Sequence, residues 1–395
     1  MWTFVSPRIV FGEGALGVLE DLQGDRALLI TDAHLVSLGL AERVSDLLLK
    51  SGMEVHVFDD VEPDPSLQIV FRGQEQAQKI RPDWIIGLGG GSPMDVAKAV
   101  RVLYERPELQ PAEINPFIPL NLGDETKLVT IPTTSGSGAD VTWAIVLTDP
   151  EEKRKMGLGN PENLADLAVV DPDMADSMPP QLTADTGFDA LTHAVEGFTC
   201  TWHKDLTDGL CLQAVRDVMA YLPIAYQAAS EEERDQGAAR EARGKMHHAA
   251  TCAGLGFGNA MASTAHAMGH TLGSVFHIPH GRAVGLCLPY TIEFAARESP
   301  RRFADLASAV SLQEGEDEPA SRSFAEKIRD LARQMDQPLS LAEAGISEED
   351  FQGQLSKLVD DAFNDTQLVT AVRPPSYEEL EKLFLYAYRG QTVDF

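Results

Sequence analysis

The stretch "DWIIGLGGGSPMDVAKAV", residues 83–100, decides how the first half of the chain is read. Trp84, Ile85, Ile86 and Leu88 give the short apolar run of a buried strand. Gly89, Gly90 and Gly91 then allow a tight turn and a close approach of backbone to a ligand. A helical pattern, "MDVAKAVRVLYE" (94–105), follows directly. Its first N–H groups and the positive end of its dipole suit a phosphate. The spacing is not GxGxxG, so the ordinary dinucleotide fingerprint is absent. A plain tight turn and a phosphate cradle both fit this stretch taken alone.

Working outward, the same rhythm recurs. "RALLITD" (26–32) is a strand, "LAERVSDLLLKSG" (40–52) an amphipathic helix, "MEVHVF" (53–58) a strand and "SLQIVFRGQEQAQKI" (66–80) a helix. "KLVTIPTTSGSG" (127–138) again runs from strand into a polar, glycine-containing turn. This βαβ alternation predicts a mostly parallel sheet flanked by helices. Two such loops at neighbouring strand ends suit a dinucleotide. Asp32 ends a strand, where a carboxylate either accepts hydrogen bonds from a ribose and repels a 2′-phosphate, or is a simple strand-end cap. After about Pro180 the strand signals stop, and helical patterns run from "DALTHAVEGF" (189–198) to "SYEELEKLFLYAYRG" (376–390). The expectation is therefore an α/β dinucleotide-binding domain over 1–180 and an all-α domain over 181–395, with "SMPPQLTAD" (177–185) at the boundary. Clefts between domains commonly hold small molecules. "LQEGEDEPAS" (312–321) reads as a solvated acidic loop.

Composition narrows the function. The 395 residues carry 61 acidic against 32 basic side chains, a net charge of −29, which repels nucleic acid and anionic membranes. An ordinary acidic surface and adaptation to high salt both account for it. No apolar run is long enough to span a bilayer, and "MWTFVSPRIVFGEG" (1–14) lacks the basic start and apolar run of a signal peptide. Cys200, Cys211, Cys252 and Cys287 form no CxxC pair and read as buried thiols of a reducing compartment. A cytoplasmic protein is expected.

Two helical segments hold the metal-ligating chemistry. In "FDALTHAVE" (188–196), Asp189 and His193 are four apart and share a helix face. "HAMGHTLGSVFHIPHG" (266–281) holds four of the chain's ten histidines: His266, His270, His277 and His280. "IPHG" places His280 on a turn. All six side chains stand as ligand candidates at this level. A mixed oxygen and nitrogen set fits Fe²⁺, Zn²⁺, Co²⁺ or Ni²⁺. With no cysteine cluster, a closed structural zinc site is not indicated. An ion with an open position acts as a Lewis acid. His203, His247 and His248 lie on other helical stretches and read as ordinary residues.

Taken together, the chain resembles the iron-dependent (group III) alcohol dehydrogenases nearly end to end. The resemblance rests on "FGEGAL" (11–16), "GGGSPMDVAK" (89–98), "IPTTSGSGADVT" (131–142), "TGFDALTHAVE" (186–196) and "HAMGHTLGSVFHIPHG" (266–281), in that order. It implies the dehydroquinate synthase-like architecture, with the site in the cleft, and NAD(H) and Fe²⁺, Zn²⁺ or another divalent ion as cofactors. It implies Asp189, His193, His266 and His280 as ligands, and His270 as the catalytic group beside the nicotinamide; His277 is structural. For the cofactor it points to Asp32, Gly90, Gly91, Ser92, Asp95, Thr133, Thr134, Ser137, Thr142 and Lys155. Small alcohols or aldehydes are the implied substrates and a homodimer the implied assembly. Trp143 and Phe257 either line the substrate side or are core aromatics. Asp64 in "EPDPS" replaces a frequent Asn, Asp140 a frequent Glu, and Ala262 and Ser263 a frequent Leu and Gly.

Two other functions share this architecture: a dehydroquinate synthase-like lyase or cyclase, and a non-catalytic binding protein. The first needs basic residues for a phosphate-bearing substrate. The sequence puts none beside Asp189 or His193 and only Arg282 beside His280. The second is disfavoured by the presence of all four ligand candidates.

Overall fold

A computed structural model describes residues 3–149, 154–230, 237–312 and 317–395. They form two compact units, Met1–Ser177 and Met178–Phe395.

The first unit is built on a parallel sheet. Its strands are β1 (Arg8–Phe11), β2 (Arg26–Ile30), β3 (Glu54–Phe58), β4 (Trp84–Gly89), β5 (Lys127–Pro132) and β8 (Leu167–Val170), in the order β1-β8-β5-β4-β2-β3. Between β5 and β8 the chain forms an antiparallel pair, β6 (Ala144–Asp149) and β7 (Arg154–Gly159). Helices α1 (Ala33–Ser37), α2 (Leu40–Lys50), α3 (Leu67–Ile80) and α4 (Gly91–Glu105) complete the unit. Side chains alternate across the sheet. Leu28 and Ile30 of β2 join Val70 of α3 and Val100 of α4 in one core. Ala27 and Leu29 join Val44 and Leu48 of α2 in the core on the other face. With both faces covered, β4 is buried at every position, hence its continuous apolar run. The sequence reading did not resolve β1, β6, β7 and β8. β1 and β8 have only four residues each, too few for periodicity to register.

The strand order also locates a crevice. The chain leaves β2 towards β3 on one side, and leaves β4 towards β5 on the other. β2 and β4 are neighbours, so the connections diverge at their C-terminal ends, where open α/β sheets bind ligands. Asp32 and the glycine loop lie at those two ends. Gly89 has φ +153°, and a Cβ there would overlap the ring of Pro93.

Asp95 and Lys98, one turn apart on α4, anchor that helix. Lys98 is fully buried; its Nζ donates to Asp95 Oδ1 (3.3 Å) and the Ala144 carbonyl (2.8 Å). Asp95 Oδ2 accepts the Val146 N–H (2.9 Å). Both residues therefore fasten α4 to β6. Burial pushes the Asp95 carboxyl up and the Lys98 ammonium down, each opposed by its partner's charge.

The second unit has no strand among its described residues. Its helices are α5 (Pro180–Thr199), α6 (Asp205–Ala228), α7 (Gly237–Gly258), α8 (Thr264–Phe276), α9 (His280–Ala295), α10 (Pro300–Ala309), α11 (Asp317–Gln334), α12 (Glu348–Phe363) and α13 (Tyr377–Arg389). They enclose one core that includes Phe188, Leu222, Met268, Leu286, Phe324, Phe351 and Phe384. Two expectations are corrected. His280 is the first residue of α9 rather than part of a turn, because Pro279 presets the entry to the helix. Of the acidic stretch 312–321, residues 317–321 open α11, where acidic groups and proline suit a helix start; residues 313–316 lie outside the described residues. No described helix is long and apolar enough to cross a membrane.

Removing one partner of a buried ion pair strands the other charge, at a cost of about 3–5 kcal/mol. Lys98→Met and Asp95→Leu are each expected to lower unfolding stability by about that amount. Denaturant titration should show the double variant recovering most of the loss. Additive losses would contradict the pairing.

Candidate functional site

In the second unit three imidazoles converge on one carboxylate oxygen. Asp189 Oδ1 lies 3.4 Å from His280 Nε2, 3.6 Å from His193 Nδ1 and 3.9 Å from His266 Nε2. Donors around a tetrahedral ion with bonds of about 2.0–2.1 Å stand roughly 3.3–3.4 Å apart. Donor atoms of Asp189, His193 and His266 all lie within 4.8 Å of one another, and all three residues are buried. His280 is the most exposed of the four, at 35% of its side chain. His266 Nε2 is buried with no hydrogen-bond partner, and burial pushes the pKa of that ring down to about 3. A neutral imidazole aimed at a carboxylate is the state a cation requires. The donor set and its spacing therefore fit a divalent ion.

Helix packing brings these donors together. Asp189 and His193 face one way on α5. His266 sits on the first turns of α8. Helix α9 brings His280 because its backbone closes on α5: a Cβ at Gly281 would overlap the Asp185 carbonyl oxygen, and one at Gly285 would lie 2.6 Å from Phe188 Cβ. Glycine is thus required next to His280 for a steric reason.

A carboxylate without an assigned role in the sequence reading holds the site from behind. Glu196 is buried on α5; its Oε2 accepts His266 Nδ1 (2.6 Å) and the Ser263 N–H (2.8 Å), and its Oε1 accepts the Ala265 N–H (2.6 Å). Burial raises its pKa to about 7 against the pull of these donors. Glu196 lies in the same quoted motif, one helical turn beyond His193; only the α8 backbone seated on it gives it a role. Ser263 and Ala262 are both buried, the first through this contact and the second with its carbonyl accepting Thr370 Oγ1 (2.9 Å).

The remaining histidines separate. His270 stacks on His280, with ring centroids 5.4 Å apart, and meets His266 edge-on at 5.9 Å. His277 is exposed and left-handed at the C-cap of α8, away from the ligand set. His203 pairs with Asp208 (3.2 Å) and His247 is buried on α7; neither belongs to the ligand group found among the described residues. Phe257 stacks on His193 with centroids 3.9 Å apart, while Trp143, in the first unit, packs against Gly159. Arg282 is held by Asp185 through two 3.1 Å contacts, so its charge is already matched. Cys200, Cys211 and Cys287 are buried free thiols and Cys252 is half-buried.

In the first unit the two glycine-containing loops meet. Gly90 faces Thr134 and Gly91 faces Ser137, with hypothetical Cβ atoms 3.3 Å and 3.5 Å from those side chains. The N-terminus of α4 has no side-chain cap, leaving its N–H groups open to an anion. Gly90, Gly91, Ser92, Thr134 and Ser137 are half-buried, while Asp95, Thr133 and Thr142 are buried. Asp32 Oδ1 accepts the Leu35 N–H (2.9 Å) as the cap of α1. Lys155 bonds Asp64 (2.7 Å), which is left-handed at φ 54°.

The chain as a whole matches known proteins. Residues 6–172 match the family model described as "Iron-containing alcohol dehydrogenase", and residues 183–388 match "Fe-containing alcohol dehydrogenase family, C-terminal". The chain is 38% identical to the NADPH-dependent butanol dehydrogenase of Clostridium saccharobutylicum, over all of both chains. It is 35% identical to the bifunctional aldehyde-alcohol dehydrogenase of Escherichia coli (strain K12), over 99% of this chain and 46% of that one. A crystal structure of 1,3-propanediol oxidoreductase superposes with a TM-score of 0.90 at 29% identity, covering 98% of this chain and 100% of that one.

Losing a carboxylate that orients a ligating histidine typically costs 10–100-fold in metal affinity. Glu196→Gln is accordingly expected to weaken Zn²⁺ binding by about that factor in a competition titration, with an unchanged far-ultraviolet circular dichroism spectrum. Wild-type affinity would remove Glu196 from the site.

Proposed function

The chain belongs to the iron-containing alcohol dehydrogenases, and on that premise we propose that it interconverts small primary alcohols or diols and aldehydes with NAD(H), using Fe²⁺ held by Asp189, His193, His266 and His280. The observation that carries the reading is the convergence of three imidazole nitrogens on Asp189 Oδ1 within 3.9 Å. Bound there, a divalent ion would supply Lewis acidity, and a bound nicotinamide would supply the hydride chemistry.

The chain's residues supply position and proton handling. Glu196 holds His266 with Nδ1 as donor, leaving Nε2 for the ion. His270 is the catalytic residue, taking up the alcohol proton at its ring and passing it towards solvent. Phe257 keeps one side of His193 apolar. Gly90, Gly91 and Ser92, with Thr133, Thr134, Ser137 and Thr142, cradle the pyrophosphate at the start of α4. Asp95 acts through its anchoring of that helix, and Lys155 beside the ribose or phosphates. Asp32 directs the choice of cofactor: one oxygen caps α1 and the other has no hydrogen bond among the described residues, ready for a ribose hydroxyl. The matched charge of Arg282 speaks against a phosphate-bearing substrate and so against the lyase reading. The proposal extends to a cytoplasmic homodimer; β1, an edge strand with Phe11 68% exposed, offers a surface for the second copy.

Three measurements test this. Prolonged chelation should abolish aldehyde-dependent NADH oxidation and Fe²⁺ should restore it; full activity of metal-free protein would overturn the reading. Wild type should prefer NADH to NADPH, with Asp32→Gly shifting the ratio towards NADPH. An unchanged ratio, or a wild-type preference for NADPH such as the Clostridium relative's name carries, would remove Asp32 from that role. His280→Ala should purify metal-poor and nearly inactive, His270→Ala should keep its metal and lose ~10²-fold in rate, and His277→Asn should keep both. A metal-free His270→Ala alongside a metal-loaded His280→Ala would reverse the assignments.

A further inference from the structure

His270 is held from a distant part of the chain. Its Nδ1 lies 2.7 Å from Asp365 Oδ2, with 23% and 16% of the two side chains exposed. Asp365 caps a short 3-10 helix, Thr366–Thr370, through Oδ1, which accepts the Gln367 N–H (2.8 Å). The far end of that helix is tied to the rest of the unit: Thr370 Oγ1 donates to the Ala262 carbonyl (2.9 Å), and the Thr370 carbonyl accepts the Thr201 N–H (2.9 Å). Each carboxylate oxygen thus faces one N–H donor from a fixed direction.

We propose that Asp365 is the positioning residue of His270: its Oδ2 keeps the imidazole proton on Nδ1, so that the ring presents an unprotonated Nε2. The inference rests on the reading of His270 as the proton-handling group. An ionised carboxylate only accepts hydrogen bonds, so the facing nitrogen must donate, and a neutral ring then has its lone pair on the other nitrogen. The contact also fixes the ring plane, which stacks on His280 at an interplanar angle of 20°. The arrangement parallels the one Glu196 makes with His266, in which a carboxylate also accepts at Nδ1. There the other ring nitrogen serves an ion; here it serves the substrate proton.

Asp365→Asn separates this role from capping. Asn caps a helix as well as Asp does, so its oxygen can retain the Gln367 N–H. The amide NH₂ then faces His270 Nδ1 and forces the proton onto Nε2, as a carboxylate-to-amide change does in histidine-dependent hydrolases. The expected result is a thermal midpoint and bound zinc per chain close to wild type, with kcat lowered by about 10²-fold. Nitrogen-15 NMR of histidine-labelled, zinc-loaded protein gives a readout independent of turnover. The His270 resonances, assigned by their loss in His270→Gln, should report Nδ1–H in wild type and Nε2–H in Asp365→Asn. Asp365→Ala should be slow as well, and less stable. An unchanged tautomer in Asp365→Asn, or a wild-type kcat there while His270→Ala is slow, overturns the proposal. If His270→Ala turns over like wild type, the relay reading falls instead, and the tautomer measurement still decides what Asp365 does.

Discussion

The close approach of α9 to α5 is the constraint on which the site depends. A ligand set drawn from three helices needs its backbones at the right separation before any side chain can converge. Gly281 and Gly285 supply it, one helical turn apart, by letting the α9 backbone lie against Asp185 and Phe188. His280 is carried to Asp189 by that contact, and the Arg282 guanidinium locks onto Asp185 from the same turn. The cost falls on helix stability, since glycine inside a helix is about 0.5–1 kcal/mol worse than alanine. The helix accepts that loss because the alternative is His280 held away from Asp189.

Behind the imidazoles lies a layer of carboxylates. Glu196 and Asp365 approach from opposite ends of the second unit's sequence, and each accepts at a histidine Nδ1. Each is also tied to backbone N–H groups, so neither can swing away from its ring. The imidazoles are therefore set by the fold rather than by whatever they bind.

Legibility in the sequence followed from how local each signal was. The glycine loop, the strands before it and the Asp189/His193 and His266/His270 pairs are contiguous patterns with a single geometric reading. The four-residue strands β1 and β8 are too short to stand out from apolar background, and β7, "RKMGLG", has too few apolar residues to read as a strand. Glu196 was visible in its motif, but its role was not, because its partners lie 67 to 70 positions away. Asp365 is further removed, 95 positions from the ring it touches, in a stretch with no periodicity. His280 shows the opposite limit: proline and glycine beside it suggest a turn, yet a proline just before a helix and a glycine packed against a neighbour are equally natural.

Asp32 carries a consequence for how cofactor choice can change. One oxygen of its carboxylate closes the N-terminus of α1 while the other accepts no hydrogen bond among the described residues. The cofactor discrimination proposed for Asp32 and the integrity of a helix end thus fall on one side chain. A lineage drifting towards the phosphorylated cofactor cannot simply discard the charge; Ser or Asn, which cap without it, are the routes that keep the helix end intact. Glycine keeps most of the cap's value and gives up the hydrogen bond. The five-residue α1 leaves little else to absorb the loss.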